Sequence, residues 1–250
     1  MAVGASLFAS GCTARDAYEN SFSLGFPDPV TDQAQRTYDL WLGAVAAATV
    51  VGIFVYALIF LAVVRYRKRG EELPRQVRYN LPVEVLYTVV PFVIIAVLFY
   101  YTAISENYIN KLTKDPQVTI GVVGFQWNWQ FNYENEGLQV TGAPGEPAEL
   151  VLPTNRVIRF VETSPDVIHS FWVPEFLFKR DVIPGRTNTF EITIREEGRW
   201  VGRCAELCGE KHDRMNFYVR AVSPEAYDRF VSDAKASSAS AAAAPAGSSS

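Results

Sequence analysis

The stretch LWLGAVAAATVVGIFVYALIFLAVV, residues Leu40–Val64, decides the fold of this chain because it contains no charged side chain. As an α-helix with ~1.5 Å rise per residue it is about 37 Å long, enough to cross a hydrocarbon core of ~30 Å. A second uncharged stretch, Val85–Ile104, follows it. Two buried helices of a soluble protein are the alternative, but such helices usually keep a polar stripe. The two stretches therefore predict a transmembrane helical hairpin over residues 37–110.

The segment between the two stretches is strongly basic and reads RYRKRGEELPRQVRYN over residues 65–80. Its charged residues are Arg65, Arg67, Lys68, Arg69, Arg75 and Arg78, against Glu71 and Glu72. Cytoplasmic loops of membrane proteins carry an excess of Lys and Arg, so this segment is predicted to lie in the cytoplasm. The sequence thus predicts a two-pass protein of the cell membrane, with both termini and everything after Ile104 on the outer side. Glu84 then lies at the cytoplasmic edge of the second span.

The residues before the first span, 1–36, are predicted to form a separate N-terminal segment. Within it, SLFASGC ends at Cys12 after a short apolar stretch, as a lipoprotein signal does, which would make Cys12 a lipidated N-terminus. The apolar stretch is short for a signal peptide, and no basic residue precedes it. An incidental cysteine or an incorrectly assigned start therefore stays open as the alternative.

After the second span the pattern changes to short runs rich in Val, Ile, Phe and Tyr, separated by Gly, Pro and Asn. The runs are QVTIGVVGFQWNWQFNYE, AELVLPTNRVIRFVETS, TNTFEITIREEGRWVGRC and NFYVRAVS. Strands at such spacing predict an all-β sandwich or barrel over residues 111–233. Trp127 and Trp129 stand two positions apart, hence on one face of a strand, and two core aromatics are the plain interpretation. The Ala/Ser-rich end, 234–250, has nothing to bury and is predicted to be disordered.

Residues able to bind a soft metal ion concentrate in CAELCGEKHDRM, which runs from Cys204 to Met215. The whole chain has 3 Cys, 2 His and 2 Met, so this stretch holds a large share of them. The other histidine, His169, follows the strand-like RFVETSPDVI upstream. The net charge of −4, with no basic face in the C-terminal half, argues against nucleic acid as a partner.

Three kinds of site are compatible with these residues. A disulfide between Cys204 and Cys208 suits the oxidising outer side, but leaves His212 and Met215 unexplained. A structural zinc site has suitable Cys and His ligands, but Met is a poor zinc ligand. Copper accepts thiolate, imidazole and thioether together, which is the set that cupredoxins use on a β-sandwich. A second cysteine favours two copper ions bridged by both thiolates and each capped by one histidine, with Met215 and a loop carbonyl as further contacts.

Four stretches of the chain resemble one known family. GRCAELCGEKHDRM resembles the dinuclear copper (CuA) loop of cytochrome c oxidase subunit 2, G-x-C-x-E-x-C-G-x-x-H-x-x-M. HSFWVPEFLFKRDVIPGR is similar to the family's H-S-x-x-V-P-x-x-x-x-K-x-D-x-I-P-G-R, GFQWNWQF to its aromatic stretch near copper, and LPVEVLYTVVP to the opening of its second span. Phe125 departs from the pattern, since many members carry His there, but it removes no copper ligand. The resemblance implies a two-helix transmembrane hairpin followed by an all-β cupredoxin-like sandwich.

The resemblance also implies a role for individual residues. The side-chain copper ligands would be His169, Cys204, Cys208, His212 and Met215. Glu206 would bind copper through its backbone carbonyl, while its carboxylate would help to hold a Mg or Mn ion shared with subunit 1. Trp127 would receive the electron from a cytochrome, and Trp129 would pack in the core. Glu84 would mark the mouth of a proton path into subunit 1.

The function that the resemblance implies is that of an electron-accepting oxidase subunit. It would take electrons from a cytochrome c donor and pass them to the haem of subunit 1, where oxygen reduction is coupled to proton pumping. The implied partners are subunit 1, further oxidase subunits, the lipid membrane, and cytochrome c or a membrane-bound dihaem cytochrome of a bc complex. The chain start and the stretch SLGFPDPVT resemble actinobacterial members, which favours the membrane-bound donor. The CuA subunit of a nitric oxide reductase and a membrane-anchored copper carrier are the alternatives, whereas a quinol oxidase subunit would lack the copper ligands.

Overall fold

Two compact units make up the part of the chain that the computed structural model describes, namely residues 25–72, 76–143 and 145–243. One unit is Arg36–Ile109, and the other combines the described residues up to Gln35 with those from Asn110 onward. Cys12 lies outside the described residues, so its lipidation stays a prediction.

Two long helices are the candidate membrane-spanning segments. Helix α1 is Asp32–Arg65 and helix α2 is Leu81–Ile109, and both are long and apolar enough to cross a membrane. The most apolar window of each helix is 0% buried, as expected of side chains that face lipid or partner subunits rather than a soluble core. At the start of α1 the side chain of Thr31 accepts a hydrogen bond from the backbone N–H of Ala34 at 2.9 Å, which caps the helix.

Glu84 caps the start of α2. Its Oε1 accepts a hydrogen bond at 2.8 Å from the backbone N–H of Asn80, the residue just before the helix. This contact gives a partner to an N–H group that the helix itself leaves unpaired, and an acidic residue in the first turn also suits the helix dipole. Glu84 therefore has a structural role in its own unit, while its role in a proton path stays a prediction.

The described chain after α2 contains ten strands in two five-stranded sheets. In chain order the strands are β1 Val118–Phe125, β2 Asn128–Tyr133, β3 Leu138–Thr141, β4 Glu149–Pro153, β5 Val157–Thr163, β6 His169–Val173, β7 Phe178–Val182, β8 Asn188–Thr193, β9 Gly198–Cys204 and β10 Asn216–Val222. The first sheet has the order β3-β2-β1-β5-β8 and the second β4-β10-β9-β6-β7. Two pairs, β1 with β5 and β10 with β4, are parallel. The predicted all-β sandwich is confirmed.

Aromatic side chains from both sheets fill the space between them. Strand β5 buries every second residue, which is the pattern of a strand with one face toward a core. Phe171 on the second sheet contacts Trp129 on the first, with ring centroids 6.1 Å apart, and stacks on Phe217 at 4.9 Å. Phe160 and Phe190 stack at 4.8 Å further along the first sheet. This dense packing forms a rigid base for the loops at the end of the sandwich.

The residues around the start of α1 belong to the sandwich unit. Val30 and Ala34 are buried, and Thr31 forms an antiparallel β-bridge with Ile194, directly after β8. The prediction that residues 1–36 form a separate segment is therefore wrong for these positions. Their apolar side chains gain cover from water only against the sandwich.

The chain that leaves α2 is also fixed to the sandwich. Glu191, on β8, is 3% exposed, and its carboxylate accepts hydrogen bonds from the backbone N–H of Thr113 and from Nε of Arg159, both at 2.9 Å. The Arg159 guanidinium also donates to the backbone carbonyl of Thr113. A buried ion pair thus holds the linker after α2 in place.

Helix α3, Pro224–Ala243, follows the last strand. Its first turns pack on the sandwich, where Tyr227 is buried and the ring of Phe230 lies 5.9 Å from that of Tyr133. The predicted disorder of 234–250 is wrong for residues 234–243, which continue this helix. Ala is the strongest helix former, so a helix started by packed residues extends into an Ala-rich stretch.

Candidate metal centre

The five predicted side-chain ligands come from two neighbouring strands and one loop of the second sheet. Strand β9 ends at Cys204, and the loop before β10 contains Cys208, His212 and Met215. Strand β6 begins at His169 and pairs with β9. Because β6 and β9 are neighbours, the distant histidine lies beside the first cysteine.

The donor atoms of these side chains form one cluster. The two Sγ atoms of Cys204 and Cys208 are 3.7 Å apart. Nδ1 of His169 lies 3.9 Å from Sγ of Cys204, and Nδ1 of His212 lies 3.6 Å from Sγ of Cys208. Sδ of Met215 lies 3.8 Å from Sγ of Cys208. Each thiol therefore has its own imidazole neighbour.

A backbone oxygen completes the cluster. The thiol of Cys204 donates to the carbonyl oxygen of Glu206 at 3.2 Å, so this carbonyl points at the donor atoms, as the resemblance implies. The side chain of Glu206 is half-buried. Its predicted contact with a Mg or Mn ion stays a prediction.

The donor set fits two copper ions. Both cysteines are free thiols, which excludes the disulfide alternative in this structure. Two sulfur atoms, each beside a separate imidazole, together with a thioether and a carbonyl oxygen, match the preferences of copper, whereas zinc has little use for the thioether. His169, Cys204, Cys208 and Met215 are all buried, so the cluster is shielded from water.

The two thiols differ in acidity. Burial acts to raise the pKa of Cys204, but hydrogen bonding with His169 and other groups outweighs it and lowers this pKa to about 6. Burial raises the pKa of Cys208 to about 12, and the nearby charge of Cys204 adds to the effect. Cys208 therefore holds its proton more tightly than Cys204 does. Binding a cation through both thiolates requires the loss of the second proton.

Asp166 fixes the ring of His169. Its Oδ1 lies 2.9 Å from Nε2, while the other ring nitrogen faces Cys204. A carboxylate on the far nitrogen of a histidine sets its tautomer and orientation and makes it a stronger ligand. Burial acts to lower the pKa of His169, but hydrogen bonds with Cys204 and Asp166 raise it. Asp166 was not predicted from the sequence, although a carboxylate three residues before a candidate ligand is a usable signal.

The two tryptophans do not share a strand face. Trp129 lies on β2, is fully buried, and donates from Nε1 to the carbonyl of Met215 at 3.2 Å. Trp127 is half-buried in the turn between β1 and β2 and donates from Nε1 to the carbonyl of Cys208 at 3.2 Å. Their predicted placement on one face of a strand is wrong because the turn intervenes. Trp129 packs in the core, whereas Trp127 reaches from the surface to the ligand loop.

A β-sandwich with two thiols, two imidazoles and a thioether at one end, preceded by two helices able to span a membrane, defines a membrane-anchored cupredoxin-like copper protein. Comparison with known families is more specific. The profile "Cytochrome C oxidase subunit II, periplasmic domain" matches residues 146–222, and that of the transmembrane domain of the same subunit matches residues 19–103. The chain belongs to the cytochrome c oxidase subunit 2 family.

Relatives in actinobacteria are similar over most of the chain. The probable cytochrome c oxidase subunit 2 of Streptomyces avermitilis is 44% identical over 265 residues, which cover 90% of this chain and 82% of that protein. Cytochrome c oxidase subunit 2 of Mycobacterium tuberculosis is 36% identical over 282 residues, which cover 89% and 77%. The periplasmic domain of subunit II of the Bradyrhizobium japonicum oxidase is 33% identical, covers 50% of this chain and 99% of that domain, and has a TM-score of 0.46.

These matches confirm the predicted family and its actinobacterial type. They also confirm the predicted enzyme class, because the family is a subunit of an oxidoreductase complex. The predicted fold of two apolar helices followed by a cupredoxin-like sandwich is confirmed as well. The lipoprotein prediction gains no support from these comparisons.

Proposed function

We propose that this chain is the electron-accepting subunit of a bacterial haem–copper cytochrome c oxidase. It takes electrons from a cytochrome donor at a dinuclear CuA centre and delivers them to the haem of subunit 1, where oxygen reduction drives proton pumping. When bound, the copper pair supplies one-electron redox chemistry. The observation that carries the proposal is the cluster of two free thiols, each beside its own imidazole, at the end of the sandwich.

The role of the protein is to hold these ligands in a fixed arrangement. His169 and Cys204 lie on paired strands, and the carbonyl of Met215 accepts hydrogen bonds from both Trp129 and the backbone N–H of Cys204. Ligands that are buried and hydrogen-bonded in this way need little rearrangement when the charge at the centre changes. The buried setting also excludes water from the donor atoms.

The donor cytochrome binds on the side of Trp127 in this proposal. The indole is half-buried and hydrogen-bonded to the carbonyl of Cys208, so it connects the surface directly to the ligand loop. Nζ of Lys211 lies 5.5 Å from the centre of the same ring. The donor is cytochrome c or, as similarity to actinobacterial proteins favours, a membrane-bound dihaem cytochrome of a bc complex.

Subunit 1 binds on the side of Glu206, and further oxidase subunits complete the assembly. The carbonyl of Glu206 faces the cluster while its side chain is half-buried, which supports a carboxylate that shares a Mg or Mn ion with subunit 1. Glu84, in the other unit, marks the mouth of a proton path. The roles of Glu206 in holding Mg or Mn and of Glu84 in the proton path do not follow from the copper cluster alone.

The sandwich lies on the outer face of the cell membrane in this proposal. The contacts of Val30 and Thr31 with the sandwich support a hairpin whose two ends are on one side of the membrane. The basic loop between α1 and α2 then lies in the cytoplasm, as the excess of Lys and Arg favours.

The decisive experiment is copper loading of the full chain in detergent. We expect two copper ions per chain and an electron paramagnetic resonance spectrum of one spin shared over both nuclei. A single copper, or a spectrum of one isolated copper, would contradict a dinuclear centre and favour a copper carrier.

A second experiment tests electron input in the assembled oxidase. Trp127→Phe is expected to slow electron transfer from the donor while two copper ions stay bound. Tyr218→Phe, on β10 with its ring against Arg199, is the matched control and leaves the rate unchanged. An unchanged rate in Trp127→Phe would move the docking surface elsewhere.

A further inference from the structure

Gln126, in the turn between β1 and β2, contacts two ligand-bearing segments at once. Its backbone N–H donates to Oδ2 of Asp166 at 2.7 Å, and its side-chain Nε2 donates to the carbonyl of Cys208 at 2.8 Å. Asp166 uses its other oxygen for the ring of His169. One residue of a turn of the first sheet is therefore bonded both to the segment before β6, which leads to His169, and to the loop after β9, which carries Cys208.

The carbonyl of Cys208 receives a second donor from the same turn. Nε1 of Trp127 lies 3.2 Å from it, so the two donors occupy both lone pairs of one oxygen. The shorter contact is that of Gln126. Together they fix the peptide group next to the Cys208 sulfur, and through it the direction of the side chain.

Gly209 provides the space that these two donors need. A Cβ at this position would lie 3.2 Å from Nε2 of Gln126 and 3.2 Å from Nε1 of Trp127. Its φ of +122° is also a backbone conformation that favours glycine. Glycine at position 209 thus allows the turn to approach the ligand loop closely.

We propose that Gln126 is a positioning residue for the metal centre. It fixes the distance and orientation between the Cys208 sulfur and the His169 ring. This inference rests on the proposed function, because a dinuclear centre needs one ligand from each arm at a fixed separation. Gln126 acts through a carbonyl and a carboxylate. Partners of this kind typically change metal affinity by ~10–100-fold when they are removed.

The test uses Gln126→Met in the full chain in detergent, because Met keeps the length of the side chain and lacks the donor. Gln130→Met is the matched control, since the amide of Gln130 bonds to Asn132 on its own strand at 3.0 Å. Equal amounts of copper(I) and copper(II) are titrated against a competing chelator, because one spin shared over two nuclei requires one ion of each oxidation state. We expect Gln126→Met to weaken copper binding by about tenfold or more and to change the copper hyperfine splitting. Gln130→Met is expected to match the wild type in both measurements.

A measurement without metal separates positioning from general stability. Amide hydrogen exchange of residues 204–215 in the copper-free chain is expected to be faster in Gln126→Met than in Gln130→Met, while exchange of β5 stays the same. A variant that fails to fold is replaced by Gln126→Glu, which keeps the shape and turns an oxygen toward the Cys208 carbonyl. Its effects are expected in the same direction.

The two proposals fail in different ways. If the wild-type chain binds two copper ions with a shared spin and Gln126→Met has the same affinity, hyperfine splitting and loop exchange, the positioning role is overturned. If the wild-type chain does not form the shared-spin centre, the proposed function itself is overturned.

Discussion

Sγ of Cys204 and Sγ of Cys208 lie 3.7 Å apart, and each has a different histidine beside it. If two metal ions bind here, both sulfurs would be available to hold them, and each imidazole would supply a ligand from its own side of the sulfur pair. The symmetry of this arrangement comes from two separate parts of the chain, a strand that starts at His169 and a loop that ends at Met215.

Removing one sulfur is expected to remove one metal ion. Cys208→Ser leaves a single thiolate beside His169, so we expect copper loading to fall from two ions to one per full chain, with the spin confined to one nucleus. Metal analysis and electron paramagnetic resonance measure both. Met215→Leu is the comparison, and it should keep two ions because a thioether is a weak ligand. Retention of two ions in Cys208→Ser would contradict thiolate bridging.

The ion pair at the linker is expected to carry a large share of the stability of the sandwich unit. Glu191→Ala leaves the guanidinium of Arg159 partly buried without its partner at 2.6 Å, and removes the acceptor for Thr113. We expect a loss of about 3 kcal/mol in the free energy of unfolding. Chemical denaturation of the full chain in detergent, followed by tryptophan fluorescence, provides the measurement. Asp228→Ala, which breaks an exposed pair with Arg156, should have a much smaller effect.

Gly202 is expected to tolerate no side chain. A Cβ there would clash with the ring of Phe217, which is fully buried in the aromatic core. Gly202→Ala should therefore destabilise the sandwich by about 1–3 kcal/mol, since overpacking shifts the surrounding structure. Gly70→Ala is the control, because nothing lies within 4 Å of its added Cβ. Equal melting temperatures of the two variants would contradict this reason for a glycine at position 202 of β9.

Glu162 gives the sandwich a pH-dependent stability. It is fully buried, and neither carboxylate oxygen has a hydrogen-bond partner within the described structure. Burial raises its pKa well above the ordinary value, against the attraction of Arg180. The folded chain therefore binds a proton that the unfolded chain has lost, and stability falls as pH rises above about 4.3, by roughly 1.4 kcal/mol per pH unit until the folded pKa is reached.

Glu162→Gln is expected to abolish this slope and to raise the melting temperature at pH 7 more than at pH 5. Thermal unfolding of the copper-free full chain across this range measures both effects. Glu197→Gln, at an exposed position, serves as the control and should follow the wild type. Parallel pH curves for Glu162→Gln and the wild type would show that the buried carboxyl does not titrate over this range.

The helices, the sandwich and the clustering of the five candidate ligand side chains could be predicted because each depends on a local sequence pattern. A membrane span needs an uncharged run, a strand needs alternation, and a copper ligand needs a particular side chain at a particular spacing. His169 was found through its own motif, although strand pairing is what brings it to Cys204. Composition and motif therefore suffice to predict most of the candidate metal ligands.

The residues that hold the ligands were not predictable in the same way. Gln126 and Asp166 act through contacts that depend on how the two sheets are stacked, and no spacing rule records that arrangement. The turn that separates Trp127 from Trp129 interrupts a run with strand composition, so alternation alone places both on one face. Packing against the sandwich also explains Val30 and the extended helix α3, since both depend on surfaces distant in sequence.

The burial of Val30 and Ala34 beside β8 imposes an order on the biogenesis of this protein. These residues are synthesised before the first membrane crossing, whereas Ile194 emerges only after the second. The sandwich can be completed only when the chain after α2 lies on the same side of the membrane as Val30 and Ala34. A chain that crosses once leaves an open apolar slot in the domain. The apolar core of the sandwich is therefore complete only when residues from both sides of the helix pair in sequence have come together.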